Sequence, residues 1–91
     1  ILSHLHFDHA GGLLSPWSAE NKSTLLFPNA QYIIGKEAWT RAINPHYRDK
    51  ASFIPELNTL LEHSGRVILV EGERCEQLGQ DFRFFYTHGH T

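Results

Sequence analysis

The chain has 91 residues, with 8 Lys and Arg against 10 Asp and Glu and a formal net charge of -2. A chain of this length forms at most one domain with a thin core, and its scattered basic residues do not form the stripe that a nucleic-acid partner needs. Because no apolar run approaches the roughly 18 residues of a membrane span and no signal-peptide pattern is present, we expect no membrane partner either.

In chain order, the first elements are short and β-rich. Residues 1–3 are typical of the end of a buried strand, and residues 13–23 predict a surface loop because they lack any sustained period. Residues 24–27 and 30–35 follow as β-rich runs that a turn dipeptide splits. They are interpreted either as neighbouring strands or as one interrupted edge strand.

Two amphipathic helices come next. Residues 36–44 place apolar side chains at helical spacing, and Pro45 ends this pattern. Pro55 suits the first turn of a second helix over residues 54–63, and Gly65 supplies a C-terminal stop.

The last third of the chain predicts two more strands. Residues 66–70 have the β-branched and aliphatic pattern of a buried strand, and residues 71–81 form a polar turn with a weak strand over 75–78. Residues 82–86 predict a final strand that leads directly into residues 87–91. Because strands and helices interleave, we predict an α/β fold.

Several side chains of the middle region are interpreted as structural. Trp39, Phe53 and Leu57 are typical of a helix face that packs in the core or at an interface, which leaves an oligomer contact open. His63 lies in the last turn of the second predicted helix, where a cationic side chain suits the helix dipole.

The loop between the two helices carries several polar and charged side chains. His46 and Tyr47 are interpreted as a plain surface loop, with the lining of a substrate cleft as the alternative. Asp49 and Lys50 are interpreted as solvated charges.

Cys75 is the only cysteine, which excludes an internal disulfide and fits a reducing compartment. We therefore expect a cytoplasmic location, with Cys75 as a small half-buried hydrophobe rather than a reactive thiol. The chain opens without Met and halts at Thr91, just after a histidine-rich turn. We accordingly expect residues 1–91 to be one partial domain of a larger protein, truncated at both ends.

The segment at residues 4–9, with the sequence HLHFDH, concentrates three imidazoles and a carboxylate. On an extended backbone alternate residues share a face, so His4 and His6 can converge on one ion while Leu5 and Phe7 point into apolar packing. The alternative is that these are ordinary polar loop residues, but three histidines and an aspartate at these offsets favour a metal site.

A chain turn after Phe7 would carry Asp8 and His9 toward a second ion position. Imidazole and carboxylate ligands suit zinc, and also iron or manganese where oxygen donors increase. A catalytic metal keeps an open position, so a three-histidine site is a natural candidate and its third imidazole must come from elsewhere. His90, on a glycine-containing turn after residues 82–86, is placed to supply it.

Residues 4–9, followed by Ala-Gly-Gly at residues 10–12, resemble the H-x-H-x-D-H signature of the metallo-β-lactamase superfamily. The resemblance implies a four-layer αβ/βα sandwich, incomplete in this chain, with a two-metal site along one edge. The implied ligands of the first ion are His4, His6 and His90. The implied ligands of the second ion are Asp8 and His9.

Residues 87–91, with the sequence THGHT, are similar to the T-P-G-H-T turn of that superfamily, with His88 in the proline position. On this match His90 is the ligand, and His88 is a solvent-facing residue or one that contacts a ligand or the substrate. The aspartate that bridges both metals and the last histidine of the second ion are expected downstream of Thr91. Residues 27–45 and 51–72 are similar to the lactonase and organophosphate-hydrolase branches.

The resemblance implies that the full-length protein is a dinuclear hydrolase with two Zn²⁺ ions, or with Fe or Mn at the second site. Its expected partner is a small-molecule substrate, a lactone or another ester-like compound, hydrolysed by a metal-bound hydroxide. Asp8 is the implied catalytic residue, since it could pass a proton to the leaving group. The chain of 91 residues alone is expected to be inactive.

Three alternatives stay open. Within the superfamily, the resemblance also admits a glyoxalase II-type thioesterase or a lactam hydrolase. A metal-binding or redox module without hydrolysis is a different class, although His6 stands where the di-iron branch usually has an acidic ligand and so favours zinc. The third alternative is a structural metal loop that only supports folding.

Overall fold

The computed structural model describes residues 1–90, and Thr91, the last residue of the histidine-rich turn, lies outside the described residues. The helices are α1 (Phe7–Ala10), α2 (Lys36–Ile43) and α3 (Pro55–Ser64), and the strands are β1 (Tyr32–Gly35) and β2 (Val67–Val70). Short 3-10 turns lie at Gly11–Leu13, Lys50–Ser52 and Glu76–Leu78. Helices and strands interleave along the chain, which is compatible with the predicted α/β class.

Strands β1 and β2 form a two-stranded sheet in the described part of the chain. They pair in parallel, in a register that sets Tyr32 opposite Val67. Parallel pairing requires a crossover, which α2 and α3 provide between the two strands. On the other side of β1, Leu2 forms a parallel bridge with Ile34, and its N–H donates to the carbonyl of Ile33 at 2.9 Å. The strand end predicted at residues 1–3 is therefore reduced to one bridge.

The main core joins the histidine segment to β1 and α3. Its fully buried large side chains are Leu5, Ile34, Leu57 and Leu61. Phe53 is buried in the same cluster and Trp39 packs against it, so the prediction of core packing for Phe53 and Leu57 is confirmed. Because Leu5 lies between His4 and His6 in sequence, this core also fixes the backbone of the two histidines.

The two long helices match their predicted bounds to within one residue. Helix α2 ends before Pro45, which cannot continue it and disfavours helical geometry at the residue before. Helix α3 begins at Pro55, whose missing N–H is not needed in a first turn. It ends at Gly65, which adopts a left-handed φ of 68°.

The strand predicted at residues 24–27 is wrong. The segment forms a single antiparallel bridge, between Leu25 and Leu14, flanked by backbone hydrogen bonds from Ser15 to Thr24 at 2.9 Å and from Leu26 to Leu13 at 2.8 Å. The carbonyl groups of the next turn face a side chain instead: the Arg66 guanidinium donates to Phe27 at 3.0 Å, to Ala30 at 3.2 Å and also to Pro28.

Two further strand predictions in the last third are wrong. Residues 76–78 form a 3-10 turn, and the preceding Cys75 is a buried free cysteine whose Sγ lies 3.1 Å from Oε1 of Gln77. Residues 82–86 form no strand, although the N–H of Phe84 donates to the carbonyl of Glu73 at 2.7 Å. An alternating apolar pattern cannot by itself supply the partner strand that a sheet needs. None of the helices described for residues 1–90 has the length and apolar character of a membrane span.

Candidate metal centre

His4 and His6 are buried at one side of the histidine segment. Their exposed fractions are 8% and 6%, so both imidazoles are largely removed from solvent. His6 forms an antiparallel bridge with Phe53, and the two rings lie 4.7 Å apart between centroids. Leu5 points into the core between them, as expected from the alternation of an extended backbone.

The alternation of buried and outward-facing side chains does not continue to Phe7. Phe7 was expected to point into apolar packing with Leu5, but 59% of its surface is exposed. Helix α1 begins at Phe7, so the side-chain period changes from two residues to 3.6 and Phe7 leaves the buried face.

His90 reaches the two buried histidines from the other end of the described chain. Its ring centroid lies 4.7 Å from that of His4 and 5.3 Å from that of His6. One ring nitrogen from each of the three side chains lies within 4.8 Å of the other two. Gly89, with a φ of 135°, adopts a conformation that strains any other residue.

These distances suit one small cation. Zn–N bonds measure about 2.0–2.1 Å, so the nitrogens of a tetrahedral site lie roughly 3.3 Å apart. The three imidazoles therefore need to close by no more than about 1.5 Å, and His90, which is exposed, has room to make most of that movement. The sequence predicts that imidazoles from the two ends of the chain meet, and His4, His6 and His90 lie close together in the described structure.

The hydrogen bonding and the pKa of His4 also fit the role of a metal ligand. Its Nδ1 lies 3.0 Å from the Ser3 hydroxyl, whereas its Nε2 is buried without a hydrogen-bond partner among the described residues. Burial, together with the nearby imidazoles of His9, His6 and His90, lowers the pKa of His4 to about 4, and Asp8 opposes this shift only weakly. His4 is therefore neutral near pH 7, with a lone pair available for a metal.

Asp8 and His9 lie on α1, at the rim of the cluster. Both are substantially exposed, and Nε2 of His9 lies 3.4 Å from Oδ2 of Asp8. The His9 ring is 4.1 Å from that of His4 and 5.4 Å from that of His90. His9 thus extends the imidazole cluster, but neither it nor Asp8 belongs to the three-nitrogen set. Their predicted role at a second ion stays a prediction.

Asp49 lies next to His6, a contact that the sequence did not predict. The interpretation of Asp49 as a solvated charge is wrong, since only 13% of its side chain is exposed. Its Oδ2 accepts a hydrogen bond from Nε of Arg41 at 3.1 Å and lies 3.5 Å from Nε2 of His6. No pattern in the sequence links Asp49 to His6, which lies 43 positions away. Lys50, in contrast, is exposed as predicted.

Competing effects act on the pKa of the Asp49 carboxyl group. Burial raises this pKa, but the hydrogen bonds from Arg41 and His6, the positive charge of Arg41 and a backbone hydrogen bond together hold it below the usual range. The second oxygen, Oδ1, is buried and has no hydrogen-bond partner among the described residues. Asp49 is therefore an ionised, nearly buried carboxylate directly beside a candidate ligand.

The other histidines lie away from the three-nitrogen set. His46 accepts a hydrogen bond from the N–H of Arg48 at 3.1 Å, and its neighbour Tyr47 is 95% exposed, which favours the plain surface loop. His63 is exposed in the last turn of α3. His88 is also exposed, with Nε2 3.9 Å from Oε2 of Glu37.

A wide, open cleft of about 1330 Å³ lies beside the cluster. Residues from both ends of the chain line it, including His4, His9, Phe84, Tyr86, His88 and His90. The cleft gives a small molecule access to His4 and His90 from the solvent side.

Comparison with protein-family models, with curated proteins and with solved structures found no match for this chain. The likeness of residues 4–12 to the metallo-β-lactamase signature therefore depends on the motif itself. The convergence of His4, His6 and His90 shows a group that could hold a metal ion.

Proposed function

We propose that the chain is part of a metal-dependent hydrolase of the metallo-β-lactamase type, in which His4, His6 and His90 bind one Zn²⁺ ion. The observation that carries this proposal is the approach of three imidazole nitrogens to within 4.8 Å of one another. The αβ/βα sandwich belongs to the same proposal, supported by the signature at residues 4–9. The proposal includes a cytoplasmic setting, which a single cysteine without an internal disulfide fits.

The residues present fit a zinc ion. Neutral imidazole is a preferred zinc ligand, and His4 supplies a buried Nε2 that lacks any other partner among the described residues. Zinc held by three protein ligands keeps a position open for water and lowers the pKa of that water to about 7, which provides a nucleophile near neutral pH.

The proposed roles of the remaining residues follow from their positions. Asp8 and His9 lie next to each other at the exposed rim of the cluster, where they could hold a second ion. As a carboxylate at this rim, Asp8 could take a proton from the attacking water and pass it to a leaving group on the solvent side. Both roles rest on the resemblance and on this placement.

For the substrate we propose a lactone or another small ester-like molecule. The open cleft beside His4 and His90 is large enough for such a molecule, and Phe84 and Tyr86 provide apolar surface in it. Thioesters and lactams share the reacting carbonyl group and are the alternatives that a substrate panel separates.

The experiment measures zinc binding before activity. We expect the protein to bind zinc in competition with a chromophoric chelator, and His4→Ala and His90→Ala each to weaken binding by at least roughly 100-fold, since each removes a ligand. His63→Ala is the matched control, because it removes an exposed imidazole outside the cluster and should leave the affinity unchanged.

Activity is then assayed with zinc-loaded protein that includes any further segments of the same gene product. Turnover of a lactone, ester, thioester or lactam that chelation abolishes would support the hydrolase. Unaltered zinc binding in His4→Ala would overturn the metal centre. Zinc binding that stabilises the fold without turnover of any panel member would favour a structural metal site over the hydrolase.

A further inference from the structure

The carboxylate of Asp49 lies between a cation and a candidate metal ligand. Arg41, in the last turn of α2, donates from Nε to Oδ2 at 3.1 Å. The same oxygen lies 3.5 Å from Nε2 of His6, and the side chains of both His6 and Asp49 are largely buried. A buried carboxylate oxygen that already faces a guanidinium can only accept from the imidazole, so it favours a proton on Nε2 of His6.

A proton on Nε2 decides which nitrogen of His6 can bind an ion. A neutral imidazole carries one N–H and one lone pair, so the Nε2–H tautomer leaves the lone pair on Nδ1. The other tautomer would place a lone pair on Nε2, opposite the lone pairs of Asp49, and would cover Nδ1 with a proton. Asp49 therefore penalises the tautomer that cannot present Nδ1.

We propose that Asp49 is a positioning residue for the metal centre: it holds His6 in the Nε2–H tautomer, with Nδ1 presented to the ion, while Arg41 fixes the carboxylate. This inference rests on the proposed zinc site. It assigns a role to the loop between α2 and α3, which brings Asp49 to His6 from outside the histidine motif.

Asp49 itself lies outside the candidate ligand set of His4, His6 and His90, since it does not contribute an oxygen to that close group of ligand atoms. The guanidinium of Arg41 binds Oδ2, the oxygen that faces His6. A carboxylate that orients a metal-binding imidazole typically changes metal affinity by about 10- to 100-fold when it is removed.

The first test reads the tautomer directly in the metal-free protein. Nitrogen-15 chemical shifts of the His6 ring distinguish a protonated Nε2 from a protonated Nδ1. We expect the wild-type ring to carry the proton on Nε2 near neutral pH, and Asp49→Ala to give a mixture of tautomers. A wild-type His6 with its proton on Nδ1 would overturn the inference.

The second test measures zinc affinity by chelator competition. We expect Asp49→Ala to weaken binding by roughly 10- to 100-fold and Asp49→Asn, which keeps an acceptor oxygen but loses the charge, to weaken it less. Asp81→Ala is the matched control, because it removes an exposed aspartate outside the cluster. Cobalt absorption spectra of the same variants should shift for Asp49→Ala and stay unchanged for Asp81→Ala.

The outcomes separate this inference from the proposed function. Equal zinc affinity in wild type and Asp49→Ala would overturn the role of Asp49 while leaving the metal centre in place. A wild-type protein that binds no zinc would overturn the metal centre, and the tautomer measurement would still decide whether Asp49 sets the His6 ring. If Asp49→Ala fails to fold, the nitrogen-15 measurement on the wild-type protein decides the inference, and a proton on Nδ1 of His6 overturns the role.

Discussion

The two ends of the described chain contribute to the same imidazole cluster in very different ways. At the N-terminal end, His4 and His6 flank Leu5, which is fully buried, and both imidazoles are themselves buried. At the C-terminal end, residues 82–90 form no helix or strand, and His90 is exposed. One part of the cluster is therefore fixed by the core, and the other part depends on a segment with few contacts.

The contacts of the C-terminal segment are specific but sparse. The hydroxyl group of Tyr86 lies 2.7 Å from the carbonyl oxygen of Gly72 and 3.2 Å from that of Val70, and Phe84 donates one backbone hydrogen bond to Glu73. Segments with little buried apolar surface open at low free-energy cost. The comparison indicates that the buried pair is preorganised, whereas the position of His90 can adjust on metal binding.

The largest expected effect is on the core beneath the buried pair. Leu5→Ala should lower the free energy of unfolding by about 2–5 kcal/mol, because it removes a fully buried side chain and leaves a cavity. Chemical denaturation of the metal-free protein measures this loss. Phe7→Ala is the neighbouring control: Phe7 is 59% exposed, so truncation should cost much less. Equal losses for the two variants would contradict the burial of this segment.

Acid should destabilise the metal-free protein through the buried His4. Because burial and the neighbouring imidazoles lower the pKa of His4 to about 4, the folded state resists protonation while the unfolded state takes up a proton near its ordinary pKa of 6.5. The free energy of unfolding should therefore fall as the pH drops from 6.5 toward 4, by at most about 3 kcal/mol from this group.

Unfolding measured as a function of pH checks this expectation against His4→Asn. That variant has no titrating group at position 4, so its stability should change less between pH 6.5 and 4. A stability difference between the two proteins that stays constant over this interval would argue against a buried, neutral His4.

The parts of the fold that the sequence predicts well are those with a local cause. The bounds of α2 and α3 follow from helical periodicity and from Pro45, Pro55 and Gly65, and they agree with the structure to one residue. Residues 82–86 fail as a predicted strand because pairing depends on a distant partner. The α/β class is compatible with the fold, and the sandwich stays a prediction.

The same distinction between local causes and distant contacts applies to the candidate site. The sequence predicts that His4, His6 and His90 approach one another, since two share an extended face and the third follows a glycine turn. Asp49 escapes prediction because its contact with His6 depends on how the α2–α3 loop packs, and an isolated Asp in a polar loop gives no local signal. The binding roles of these histidines, and of Asp8 and His9, stay predictions.

The smallest expected effect concerns the anchor of the C-terminal segment. Tyr86→Phe removes the hydroxyl group that bonds the carbonyls of Val70 and Gly72 but keeps the ring. Its loss should free the segment that carries His90 at a cost of about 1 kcal/mol, and so weaken zinc binding by roughly fivefold.

Global stability should change less than for Leu5→Ala, because Tyr86 lies outside the buried core clusters. Chelator competition measures the zinc affinity, and denaturation of the metal-free protein measures stability. Tyr47→Phe is the control, since Tyr47 is 95% exposed and loss of its hydroxyl group should leave both quantities unchanged. If zinc affinity is unchanged in Tyr86→Phe, the hydroxyl anchor does not position His90. A loss of stability as large as that of Leu5→Ala would mean that the C-terminal segment is part of the folding core, and the contrast between the two ends would no longer hold.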